Sequence, residues 1–205
     1  MSFSLPKKLG QIVPVLRFAS SVEAELIFEL LIEAKFRTIE LTLTTPNAFD
    51  LIKKFRSIAD ENVMIGAGTV CTLEQARHSL DSGADYLVSP FVNTIMIDET
   101  NKRGKYSIVG AFTPTEIYAA HSQGAHMVKL FPANAGGPSF LKAIRAVFGE
   151  IDICPTGGID LHNYRDYLNA GASCVGIGSS LLGGIKVIES NRQKMLQHLR
   201  QFSSI

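Results

Sequence analysis

Lys129 interrupts an otherwise apolar run, Met127-Val128-Lys129-Leu130-Phe131, and Glu40 does the same in Thr38-Ile39-Glu40-Leu41-Thr42-Leu43. Arg17 closes a third run that starts at Ile12. Nearly all other charged side chains fall on helix faces, in loops or at strand starts, where water reaches them. Charged residues are seldom buried without a partner. Withdrawal from water disfavours an ammonium relative to the free amine. A desolvated lysine is a common nucleophile for Schiff-base formation with a ketone. A carboxylate within direct or one-water reach moves the protons, and an arginine offers a planar two-point contact for a substrate carboxylate. These residue types suit attack by Lys129 on the keto carbon of a 2-keto acid, with Glu40 as acid/base and Arg17 on the acid group. The bland alternative is a buried structural Lys–Glu pair with a rim salt bridge at Arg17.

For this chemistry both central charges must point inward. Side chains alternate faces along a strand. Glu40 and Thr42 then share one face, and Ile39, Leu41 and Leu43 the other. Lys129 shares its face with Met127 and Phe131, while Val128 and Leu130 point away. Eight short apolar runs read as strands: Ile12–Leu16, Thr38–Leu43, Met64–Gly68, Tyr86–Ser89, Ser107–Gly110, Met127–Leu130, Asp152–Pro155 and Cys174–Gly178. Amphipathic stretches such as Val22–Ala34, Leu73–Ser82 and Glu116–Gln123 separate them. Ser20-x-x-Glu23 and Thr72-x-x-Gln75 read as capping boxes. Thr113-Pro114 and Gly137-Pro138 place a proline where a helix starts. Gly83-Ala84, Gly124-Ala125 and Gly171-Ala172 recur about every two β/α units, as helix ends leading into strands.

Strict alternation of strand and helix implies a parallel sheet. No G-x-G-x-x-G opens the first unit, and polar residues gather at strand ends in several units, which favours closure. The expectation is α/β, a single (β/α)8 TIM barrel forming one domain over residues 1–205. Its 205 residues lie near the lower limit of ~200 for this fold. The runs holding Glu40 and Lys129 are second and sixth in order, so they face each other across the axis.

Two glycine-rich turns follow the last strands: Pro155-Thr156-Gly157-Gly158 and Gly176-Ile177-Gly178-Ser179. Loops after strands seven and eight often form a phosphate site in this fold, with the N-terminus of a short helix. Glycines let backbone N–H groups approach the anion, and Ser179 adds a hydroxyl. Tight turns alone would also need these glycines. The five histidines show no metal-ligand spacing, so no metal and no cofactor are expected, and the lysine must serve as electron sink. Cys71, Cys154 and Cys174 are far apart without a C-x-x-C, and read as small buried hydrophobes in a reducing cytoplasm. With 20 Lys+Arg against 19 Asp+Glu, a nucleic-acid footprint is not expected. No apolar run reaches the ~18 residues of a membrane span, and residues 1–9 carry no signal-peptide stretch.

The chain resembles the class I 2-keto-3-deoxy-6-phosphogluconate (KDPG) aldolases, of the family that also handles 4-hydroxy-2-oxoglutarate (KHG). The resemblance rests on Ile39-Glu40-Leu41-Thr42, Gly66-Ala67-Gly68-Thr69-Val70, Val88-Ser89-Pro90, Val128-Lys129-Leu130-Phe131-Pro132, Pro155-Thr156-Gly157-Gly158-Ile159 and Gly178-Ser179. It implies a β/α barrel, a homotrimer, Lys129 as the Schiff-base lysine and Glu40 as the acid/base. It also implies Thr69, Pro90, Phe131 and Thr156 around a pyruvyl group, and Gly157, Gly158, Gly178 and Ser179 at a phosphate. The implied partners are a 2-keto acid and an aldehyde phosphate. Many members carry an arginine four residues after the glutamate. Thr44 stands there in this chain, and Arg17 is expected to take over part of that role. The galactonate-derived epimer is an alternative substrate. A non-aldolase sugar-phosphate enzyme and a non-catalytic sugar-acid phosphate sensor are alternative functions.

Overall fold

The structure is a computed structural model that describes residues 9–203; the reading of the first eight residues lies outside that range. The strands are β1 (Ile12–Leu16), β2 (Thr38–Thr42), β3 (Met64–Gly68), β4 (Tyr86–Ser89), β5 (Tyr106–Ala111), β6 (Met127–Leu130), β7 (Ile153–Pro155) and β8 (Val175–Ile177). The helices are α1 (Ser21–Glu33), α2 (Ala48–Ile58), α3 (Leu73–Asp81), α4 (Thr94–Lys102), α5 (Pro114–Ser122), α6 (Gly137–Val147), α7 (Tyr164–Asn169) and α8 (Arg192–Ser203). All strand pairs are parallel, in the order β7-β6-β5-β4-β3-β2-β1-β8. A parallel bridge between Thr156 and Gly176 joins the two ends. The result is the expected (β/α)8 barrel.

Helix starts follow their caps. Thr72 and Thr113 form complete capping boxes with Gln75 and Glu116. The box expected at Ser20 does not close: its hydroxyl accepts from Val22 N–H, one residue short of Glu23. Gly83, Gly124 and Gly171 end helices at φ 97°, 86° and 101°, a region in which a β-carbon clashes.

Two apolar layers result from the strand alternation. The outer one packs Ile39, Leu41, Val128 and Leu130 against the helices, where Phe28 of α1 stacks on Phe55 of α2 with ring centroids 3.8 Å apart. Burying each such ring stabilises the fold by ~1.5–3 kcal/mol. The inner layer fills the barrel with Val13, Met64, Tyr86, Val88, Ile108, Met127, Cys154 and Cys174. It stops below the C-terminal ends of the strands, and the space above it is where polar side chains converge.

Three further expectations need correction. Cys71 is exposed, because it lies in the loop after β3 and its N–H is held by Gln75 Oε1 at 2.8 Å. Arg17 reaches water at the barrel mouth, since β1 ends one residue earlier. Glu99, read as part of a solvated helix face, is buried where α3 meets α4, with Arg77 and Arg103 each 3.4 Å away. Among the described residues no helix is long and apolar enough to cross a membrane.

Candidate active site

β6 and β2 bring the two buried charges together. Lys129 Nζ lies 3.4 Å from Glu40 Oε1, with side-chain exposures of 11% and 4%. Glycines on neighbouring strands make room for Glu40 and for the backbone close to Lys129. A β-carbon at Gly68 of β3 would overlap the Glu40 carboxylate. One at Gly110, which pairs with Lys129, would strike the backbone of Pro90. This places an amine and a carboxylate side by side and withdrawn from water.

Above them opens a cavity of about 680 Å³, within the range of sites that enclose small molecules. Every candidate from the sequence lines it except Glu40: Arg17, Thr69, Pro90, Lys129, Phe131, Thr156, Gly157, Gly158, Gly178 and Ser179. Glu40 is absent from the cavity wall and lies 3.4 Å from Lys129, which lines it. Phe131 stands beside the amine, with Lys129 Nζ 5.9 Å from its ring centroid.

Arg17 crosses the mouth from β1, and its Nη2 donates to Thr69 Oγ1 at 3.2 Å. Thr69 adopts φ 62°. That conformation costs a β-branched residue on the order of 1–3 kcal/mol and concentrates at functional sites. A hydroxyl and a guanidinium are thereby held side by side at the wall of the cavity that Lys129 also lines.

The turns after β7 and β8 line the same cavity, the latter next to Arg17 because β8 pairs with β1. The carbonyls of Thr156, Gly157 and Gly158 accept from Ala133 N–H, Asn134 N–H and Asn163 Nδ2. In a trans peptide the N–H points opposite to the carbonyl. The N–H groups of Gly157, Gly158 and Ile159 therefore point the other way, toward the cavity their residues line. Gly157 and Gly158 have φ 102° and 69°, and a β-carbon at Gly158 would press on Asn134. The loop after β8 is a run of turns, with Leu181 N–H donating to Gly178 carbonyl at 2.9 Å. No regular helix starts at Ser179, so this part of the cavity offers turn amides and an exposed hydroxyl.

Sequence reasoning missed an apolar wall. Phe18, Leu181, Leu182, Ile185 and Val187 also line the cavity. The signal present was the apolar stretch after β8, whose Leu181 and Leu182 are buried in the outer core as well as lining the cavity. Among the described residues no three His, Cys, Asp or Glu side chains are grouped so as to hold a metal ion.

A parallel β/α barrel with a buried lysine and glutamate paired beneath a cavity suits a carbon–carbon lyase. The profile "KDPG and KHG aldolase" matches residues 6–199. A probable 2-dehydro-3-deoxy-6-phosphogalactonate aldolase of Rhizobium meliloti is 36% identical over 98% of this chain and 95% of its own. A 2-dehydro-3-deoxy-phosphogluconate aldolase of Dickeya dadantii is also 36% identical, over 88% and 84%. The crystal structure of a KDPG aldolase from Legionella pneumophila, with pyruvate captured as a covalent carbinolamine intermediate, superposes with a TM-score of 0.87 at 30% identity, covering 96% of both chains. The chain belongs to the KDPG and KHG aldolase family.

Proposed function

We propose that this protein cleaves 2-keto-3-deoxy-6-phosphogluconate to pyruvate and glyceraldehyde 3-phosphate, and 4-hydroxy-2-oxoglutarate to pyruvate and glyoxylate. The observation that carries this reading is the 3.4 Å contact between Lys129 and Glu40 at the floor of the cavity. Lys129 adds to the C2 carbonyl and water leaves, giving a protonated imine. Glu40, acting through a water, takes the proton of the C4 hydroxyl. The C3–C4 bond breaks, its electron pair passes into the imine to give an enamine, and the aldehyde departs. A proton returns to C3, and hydrolysis frees pyruvate and the amine. Arg17 and Thr69 hold the carboxylate, Pro90, Phe131 and Thr156 surround the pyruvyl group, and Gly157, Gly158, Gly178 and Ser179 take the phosphate. The family resemblance further supports one barrel domain acting as a homotrimer, for which exposed Phe91 and Ile95 beside the mouth supply apolar surface. Three unpaired cysteines suit a reducing cytoplasm.

A second reading, the galactonate-derived epimer as substrate, is favoured by the Rhizobium relative, whose match spans more of this chain than the Dickeya one. A lactate-dehydrogenase-coupled assay of pyruvate release decides, with both phosphorylated epimers and hydroxy-oxoglutarate run in parallel. The gluconate-derived substrate should give the highest kcat/KM. A higher value for its epimer exchanges the first reading for the second, and no pyruvate from any of the three removes both. The phosphate seat has its own test. Ser179→Asp sets a negative charge against the anion and should raise KM for phosphorylated substrate ~10–100-fold, the scale of a lost bond to a charged group. Covalent trapping of pyruvate should be untouched. An unaltered KM would locate the phosphate elsewhere.

A further inference from the structure

Tyr86 has no part in the scheme above, yet it occupies an unusual place. It is fully buried in the inner layer of the barrel. Its hydroxyl has no hydrogen-bond partner among the described residues, although buried polar groups are nearly always paired. The register explains where that hydroxyl points. Glu40 of β2 pairs with Gly66 of β3, and Gly66 pairs with Tyr86 of β4, so all three lie at one level on the inward face. A β-carbon on Gly66 would overlap the far edge of the Tyr86 ring, at Cζ. The ring therefore lies across β3 and carries its hydroxyl toward β2, beneath Glu40.

Glu40 leans the other way along the same strand, its carboxylate resting over Gly68. The phenol end and the carboxylate thus occupy successive inward positions of β3, and no direct hydrogen bond joins them. A bridging water is the ordinary way to pair such a buried hydroxyl with a nearby polar group. Burial first, and then the Glu40 carboxylate, raise the Tyr86 hydroxyl well above the ordinary phenol value. It stays protonated and faces the carboxylate as a donor. The other titratable groups near this pair are Lys129, at the mouth side of Glu40, the thiols of Cys154 and Cys174, and Asp85 next to Tyr86 in the chain.

We propose that Tyr86 is a positioning residue for Glu40: its hydroxyl donates to one internal water, which donates to the carboxylate from below. This rests on the reading of Glu40 as the acid/base. During turnover the Lys129 nitrogen passes from a cationic imine to a neutral enamine as the C3–C4 bond breaks, and its hold on Glu40 weakens at that step. The support from Tyr86 is untouched by that change and keeps the carboxylate aimed at the substrate.

The test is Tyr86→Phe, which removes only the hydroxyl, with Glu40→Gln run beside it. Tyr86→Phe should lower kcat about five- to tenfold, the loss expected for one hydrogen bond, with KM unchanged. Its pH–rate profile should differ from that of the parent protein, which a hydroxyl idle in catalysis would leave in place. Pyruvate trapping by borohydride should stay complete. An idle hydroxyl gives the opposite pattern: a higher Tm, and kcat and pH profile where the parent protein has them. That result overturns the proposal, and so does loss of trapping together with cleavage, which would assign the hydroxyl to the whole site. If Glu40→Gln itself turns over at the parent rate, the role of Glu40 falls first. If Glu40→Gln is slow while Tyr86→Phe matches the parent, only the role of Tyr86 falls.

Discussion

Lys129→Met is expected to lower kcat by five orders of magnitude or more. The amine supplies both the covalent bond and its alignment with the keto carbon. Alignment alone is worth ~7–11 kcal/mol of barrier, and each ~1.36 kcal/mol is tenfold in rate. Methionine matches the reach of the lysine stem and suits the apolar surroundings set by Met127 and Ile108. It leaves the buried Glu40 without the partner now 3.4 Å away. Breaking a buried pair on one side costs about 3–5 kcal/mol, so the variant should also be less stable, and circular dichroism must show it folded. Mass spectrometry after incubation with pyruvate and borohydride gives the second readout. The parent protein should gain a reduced adduct on Lys129 and the variant none. An adduct on a different lysine in the parent protein would move the chemistry away from this residue.

Lys129 and Glu40 were legible because a charge in mid-strand breaks an apolar period, and few physical reasons account for it. Their meeting was legible too, since closure of eight strands puts the second and sixth across from each other. The bounds of β1, β3, β4 and β6 match the sequence reading, each being a short apolar run flanked by turn residues. β8 is shorter than Cys174–Gly178 because its ladder with β1 runs only from Val175 to Ile177. That limit belongs to a partner strand and leaves no local trace. The wall made by Phe18, Ile185 and Val187 was hidden for a different reason: an apolar side chain in a loop carries no period to say what it faces. Tyr86 shows the same limit from the other side. A tyrosine in an apolar strand reads as packing, and only the register through Gly66 reveals where its hydroxyl is carried. Glu99 was misread because its helix face is covered by α3, a contact between helices that no spacing within α4 announces.

Glu40→Gln separates holding from proton transfer. The amide has the shape of the carboxylate and fits the space over Gly68, so neither the inner packing nor the cavity should change. It cannot take a proton from the C4 hydroxyl or return one to C3. Cleavage should fall ~10²–10⁴-fold, the usual contribution of a positioned acid/base. Imine formation with pyruvate needs only the amine and a seated carboxylate, so borohydride should still trap Lys129, more slowly if Glu40 also helps water leave. Trapping kept and cleavage lost would place Glu40 on the proton path. Loss of both would mean that its main service is to hold the Lys129 nitrogen in line. Parent activity in the variant would reduce the 3.4 Å contact to a structural ion pair. The substitution therefore reads the same buried contact three ways, and each leaves a different combination of trapping and turnover.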